Sequence, residues 1–121
     1  MKAISIRQPW ADFIVKGVKT IETRTWTTDY RGDILICSSK LFDPAWNDMR
    51  LEYRNSLAYG KALCIAELYD IKPMTVDHQE EAGCEVYPGA FSWFLRNIRL
   101  ITPFLVKGKL RLFEVEYEAG R

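Results

Sequence analysis

The stretch KALCIAELYDI, residues 61–71, carries apolar side chains on both faces of an extended chain for most of its length. Such a strand is stable only inside a sheet whose two faces are both covered. The remaining residues must supply that cover. A length of 121 residues suits one compact domain, residues 1–121, and is short for two. Hydrophobic residues at 48% beside charged residues at 27% argue against a disordered chain.

KAISI (2–6) reads as a first strand. In RQPWADFIVKGV (7–18), Pro9 fits the first helical position, where its missing N–H costs nothing. Trp10, Phe13 and Ile14 share a face and Gly17 supplies a left-handed stop, so a short helix is expected. TIETRTW (20–26) alternates and is β-branched, which predicts a strand, and DILICSS (33–39) predicts an apolar one after the turn YRG.

The stretch FDPAWNDMRLEYRNSLAYG (42–60) predicts the longest helix. Asp43 caps it, Pro44 opens it, Gly60 ends it, and Trp46, Met49, Tyr53 and Leu57 form its buried stripe. Residues 72–89 form a long polar connection, acidic in the middle, with room for one helical turn. AFSWFLRNIRLI (90–101) and KLRLFEVEY (109–117) close the chain as two strands joined through Pro103 and Gly108. The order β, α, β, β, α, then mostly β predicts an α+β, mainly β fold: a small, partly closed barrel of five or six strands with two main helices. A doubly wound parallel sheet requires more regular alternation.

Charge and cysteine usage narrow the function. Net charge is +1, too little to hold long duplex DNA by charge alone. Both ends of the chain are basic, +3 over residues 1–40 and +3 over 86–121, and the middle is acidic. If the two ends meet, they make a mildly basic face. Cys37, Cys64 and Cys84 show no metal-ligand spacing, and His78 is the only histidine, so no metal site and no cofactor are expected. No apolar run approaches the roughly 20 residues of a membrane span and no signal-peptide core is evident, so a cytoplasmic protein without membrane partners is expected.

GVKTIETRTW (17–26) sets a lysine, a glutamate, an arginine and a tryptophan together. Strand alternation puts Thr20, Glu22, Arg24 and Trp26 on one face and Ile21, Thr23 and Thr25 on the other. One reading is a solvated ladder whose Glu22–Arg24 pair contributes about 0–1 kcal/mol. The other is a polar cleft with an aromatic wall. A planar base stacks on Trp10 or Trp26 and turns its edge to Glu22, while Lys19 and Arg24 meet carbonyl or phosphate oxygens.

Gly17, Lys19, Glu22 and Arg24 reproduce the Gly-x-Lys-x-x-Glu-x-Arg signature, and the chain resembles the ASCH (activating signal cointegrator homology) domain family. The likeness extends over SIRQPWADFIVKGVKTIETRTW, YRGDILICSSK and AFSWFLRNIRLITPFLVKGKLRLFEVE, in the order of the family's bacterial and phage members. It implies a PUA-like barrel with a cleft beside the first helix, and RNA or a nucleotide as ligand. Carried onto this chain, the cleft holds Lys19, Glu22 and Arg24, then Gln8 and Trp10, with Ser38 and Lys40 as neighbours and Arg96 and Asn97 at greater remove.

One bacterial branch of the family hydrolyses N4-acetylcytidine with a lysine, a threonine and a glutamate. The lysine corresponds to Lys19, but Glu22 stands where that branch has its threonine. Thr20, on the face of Glu22, is the alternative hydroxyl, and the branch's acid lies in a connection like the one holding Glu80, Glu81 and Glu85. A hydrolase of N4-acylated cytidine, or a ribonuclease, would here rely on Lys19 and Glu22, the carboxylate activating water and the ammonium stabilising an oxyanion. Binding of RNA or a nucleotide without chemistry is the first expectation.

Overall fold

A computed structural model of the chain describes residues 1–117. The backbone runs β1 (Lys2–Gln8), α1 (Trp10–Val15), β2 (Ile21–Arg24), β3 (Gly32–Phe42), α2 (Leu51–Ser56), β4 (Lys61–Pro73), α3 (Gln79–Ala82), β5 (Phe91–Leu105) and β6 (Phe113–Glu114). Short 3-10 turns, Pro44–Trp46 and Val76–His78, precede α2 and α3. The strands form one mixed sheet in the order β2-β5-β4-β3-β1-β6. β1 and β3 are parallel and the other neighbours antiparallel. Among the described residues no ladder joins the edge strands β2 and β6, so the barrel is not closed by hydrogen bonds.

β4 lies inside the sheet between β3 and β5, as its two-sided apolar pattern requires. Alternation sorts its neighbour cleanly: Ile34 and Ile36 of β3 enter one core cluster with Ile4, Ile6, Ala11, Ile14 and Trp93, while Leu35 and Cys37 enter a second with Ala3 and Phe113. A register shift between Ala62 and Cys64 against β5 brings Leu63 and Cys64, consecutive in sequence, into the same cluster. Helix α1 covers the first cluster through Ala11 and Ile14 and stops at Lys16, before Gly17 at φ +75°.

Three expectations are corrected. The helix expected over 43–60 is broken. Asp43 does cap, accepting from Ala45 N–H at 3.0 Å, but the first piece ends at Trp46 and Arg50 is extended before α2 begins. No residue of either piece is fully buried, so no continuous apolar face holds the stretch helical. Pro103 does not end a strand: β5 continues to Leu105, because Pro103 falls in the register shift between the Leu100 and Phe104 pairings with β4, where the ladder is interrupted and a missing N–H is tolerated. The strand expected over 109–117 shrinks to Phe113–Glu114 against β1, with Arg111 at φ +59° interrupting it.

The polar connection after β4 is ordered. Met74, Ala82 and Ala90 form a third cluster with Ile21 of β2, and Thr20 N–H donates to the Glu81 carbonyl at 3.0 Å. This brings α3 against the start of β2, where the charged signature lies.

Candidate nucleic-acid interface

β2 is only four residues long, but its pairing with Phe91–Phe94 of β5 fixes the directions of its side chains. Glu22 and Arg24 converge, with Arg24 Nη2 donating to Glu22 Oε2 at 3.1 Å and to the Ser5 carbonyl of β1 at 2.9 Å. Glu22 Oε1 also accepts from Thr23 N–H at 3.1 Å. Lys19 precedes the strand and is 3% exposed. Its ammonium lies 3.6 Å from Glu22 Oε1 and 4.7 Å from the Trp10 ring centroid, and it donates to the Ala82 carbonyl of α3. Carboxylate, carbonyl and π face together offset the cost of removing this ammonium from water. The solvated-ladder reading is therefore overturned for Lys19 and Glu22, which are both buried.

Trp10 is held in place from outside. Its indole N–H donates to Asp43 Oδ2 at 2.7 Å, and its ring meets Phe13 and Trp46 edge to face at 5.9 and 5.5 Å. The indole hydrogen bond, with Ala45 N–H second, holds the Asp43 carboxyl below the usual carboxylate range.

These groups border a cavity of about 550 Å³. Arg7, Lys19, Arg24, Lys109 and Arg111 face it against two carboxylates, Glu22 and Asp43, so the site is net cationic. The opposite rim is made by Thr23 with Cys84 and Tyr87 of the polar connection. Tyr87 O–H donates to Thr23 Oγ1 at 3.0 Å. Alternation had set Thr23 on the face away from Glu22, yet it borders the same cavity because the connection folds over that side.

Of the residues expected at the site, Trp10, Lys19, Glu22 and Arg24 border this cavity. Ser38 and Lys40 border a second cavity of about 820 Å³, and Ser38 Oγ bonds to the Lys61 backbone. Gln8 borders neither: it is buried, donating to the Ala58 carbonyl and accepting from Asp12 N–H, both at 2.9 Å, and so ties α1 to the loop before β4. Thr20 turns its hydroxyl to Glu81 at 3.5 Å. Trp26 packs edge-on to Trp93 at 4.8 Å and reaches the site only through Arg111, whose guanidinium lies 5.0 Å from its ring centroid. Arg96 pairs with Glu67 at 2.9 Å and lies over Tyr69, beside Asn97 at φ +56°, and neither borders these cavities.

Sequence reasoning missed Arg7, Asp43, Cys84, Tyr87, Lys109 and Arg111. The length of the polar connection was the available signal for Cys84 and Tyr87. For Lys109 and Arg111 the signal was the basic balance of both chain ends, although a stretch that alternates like a strand did not show where they would turn.

The ASCH domain family model matches residues 4–104. Among solved structures, ASCH from Zymomonas mobilis superposes with a TM-score of 0.68 at 18% identity, covering 95% of this chain and 87% of that one. A serine-to-alanine mutant and a tyrosine-to-phenylalanine mutant of the Zymomonas mobilis protein superpose at 0.63 and 0.61. At that identity the likeness is one of fold. Activating signal cointegrator 1 from Homo sapiens, and that from Mus musculus, are 42% identical to this chain over 36 residues. The match covers 30% of this chain and only 6% of the length of those proteins.

Proposed function

The chain belongs to the ASCH domain family, and from that premise we propose that it binds RNA, holding one unpaired nucleotide in the cavity around Lys19, Glu22 and Arg24. The excess of cations around that cavity carries the reading: five against two carboxylates, with the buried Lys19–Glu22 pair joined to the half-buried Arg24 guanidinium. A volume of about 550 Å³ suits a ligand of nucleotide size. Exposed Arg7, Lys109 and Arg111 are free to meet phosphate oxygens. Trp10 and Tyr87 supply ring surface for a base. Glu22 has lone pairs beyond those used by Lys19, Thr23 and Arg24, and they suit the exocyclic amine of cytosine or adenine.

Hydrolysis is supported less well. Thr20, the alternative hydroxyl that could replace the branch's threonine, contacts Glu81 and does not border the cavity. Thr23 does border it, but its hydroxyl meets Tyr87 and Cys84, neither of them a base suited to take its proton.

The test is a titration of a short single-stranded RNA followed by tryptophan fluorescence, with the double variant Arg7→Gln/Arg111→Gln alongside. Both arginines are exposed, so the variant should keep the parent's melting temperature. Binding that weakens with salt and is lost in the variant is expected; equal binding by both proteins would remove the cavity assignment. Incubation of the parent with N4-acetylcytidine should release no cytidine, and release would favour the hydrolase.

A further inference from the structure

We propose that the second cavity carries the sugar–phosphate backbone next to the nucleotide held in the first, so that the ligand is single-stranded RNA and not a free mononucleotide. The inference rests on the binding reading above and adds a second contact site for the strand.

The two cavities adjoin. Ser5, Ser39, Leu41, Lys109 and Leu110 border both. A strand leaving the first cavity on this side would meet the second, and a single nucleotide fills only part of their volumes of about 550 and 820 Å³.

Their charges differ in kind. The first cavity mixes cations with Glu22 and Asp43, as reading a base edge requires. Among the described residues, the second is bordered by Lys40, Lys107 and Lys109 and by no carboxylate. Among the described residues, none of these three lysines takes part in an ion pair. Unpaired ammonium groups without an acidic partner suit phosphates, which position a strand without reading it. Between the lysines stand apolar side chains open to water: Leu41, Leu105 and Leu110, the last 93% exposed at the junction of the two cavities. They offer apolar contact to unstacked bases.

The groove is also preformed. Val106 N–H donates to the Gly60 carbonyl at 3.0 Å, fixing the segment after β5 onto the start of β4. Gly108 passes so near β1 that a Cβ there would stand 3.0 Å from Ser5 Oγ. The stem of Lys40 lies along Gly60, where a Cβ would meet it at 3.6 Å. A site fixed before the ligand arrives loses less entropy on binding.

The experiment compares CMP with an oligocytidylate of roughly six nucleotides, on the parent and on Lys40→Gln/Lys107→Gln. Both lysines are exposed and border only the second cavity, so folding and CMP affinity should be unchanged. The parent should bind the oligomer at least about tenfold more tightly than CMP. The variant should lose most of that gain, with a salt dependence shallower by roughly 1.4, since each phosphate contact on a single strand contributes about 0.7 to the slope. An oligomer that binds the parent no better than CMP, or a variant that keeps the full gain, would overturn the inference and leave the first cavity's role standing. A parent that binds neither would overturn both.

Discussion

Lys19 and Glu22 face each other at 3.6 Å, with only 3% and 10% of their side-chain surfaces open to solvent. A buried pair is costly to break from one side, because the remaining charge loses its partner. Lys19→Met keeps most of the volume but leaves Glu22 to Arg24 and the Thr23 N–H. Chemical denaturation should show a loss of about 2–3 kcal/mol, at or below the low end for a broken buried pair because that second cation remains. Glu22→Gln alone should also destabilise. The double variant should fall short of the two losses added together by about 1 kcal/mol or more. Strict additivity would show that the Ala82 carbonyl and the Trp10 ring, and not Glu22, hold the ammonium.

Asp43 joins the site to the turn that follows β3, accepting from the Trp10 indole at 2.7 Å and from Ala45 N–H at 3.0 Å. The indole bond chiefly lowers its pKa in the folded protein. A carboxyl lowered by folding stabilises the protein above its unfolded value, about 4, and that contribution disappears as the pH falls through the folded value. Asp43→Asn can still offer an oxygen to either donor but cannot titrate. Between about pH 5 and pH 3 the parent should therefore lose stability more steeply than the variant. Asp33, lowered by Arg99, and Glu114, lowered by Lys2, titrate in both proteins and cancel in the comparison. Equal acid slopes would mean that the Trp10 contact adds nothing.

Burial pushes the thiols of Cys37 and Cys64 up to about 12, whereas Cys84 is partly exposed and borders the first cavity. A thiol needs both access and ionisation to react. Ellman's reagent at about pH 8 should modify Cys84 alone in the native protein and all three cysteines in denaturant. A bound nucleotide should slow the native reaction. Rapid native modification of Cys37 or Cys64 would show that the sheet opens at β3 and β4.

Much of the frame was legible because its signals are local. β4 announces itself by apolar residues on both faces, and β3 by an apolar run bounded by a turn. Gly17 does stop α1 with a left-handed residue, as its place after an apolar turn implied. The charged signature could be set on one strand because alternation needs no knowledge of the fold. What escaped depends on distant neighbours. The stripe Trp46, Met49, Tyr53 and Leu57 has helical spacing but no surface that buries it whole, so the chain breaks at Arg50. Cys84 and Tyr87 reach the cavity only because Met74, Ala82 and Ala90 anchor the polar connection on Ile21. Lys109 and Arg111 face it because the chain after β5 leaves extended geometry, which an alternating sequence does not reveal.

Gly83 links that connection to the aromatic wall. It ends α3 at φ +76°, and a Cβ built on it would stand 3.2 Å from a carbon of the Trp10 ring. Gly17 has nearly the same backbone geometry, φ +75°, with nothing within 4 Å of the corresponding position. The two glycines thus separate strain from contact. Gly17→Ala should cost about 1 kcal/mol, the price of a side chain in left-handed backbone. Gly83→Ala carries the same strain and must also displace Trp10, which Asp43, Phe13 and Trp46 hold in place. Denaturation should therefore show a larger loss, about 2 kcal/mol. Tryptophan fluorescence should change in Gly83→Ala and stay near the parent's in Gly17→Ala. Equal losses with unchanged spectra in both would show that the 83–84 wall moves without disturbing Trp10, and the cavity would then lose its claim to a fixed aromatic side.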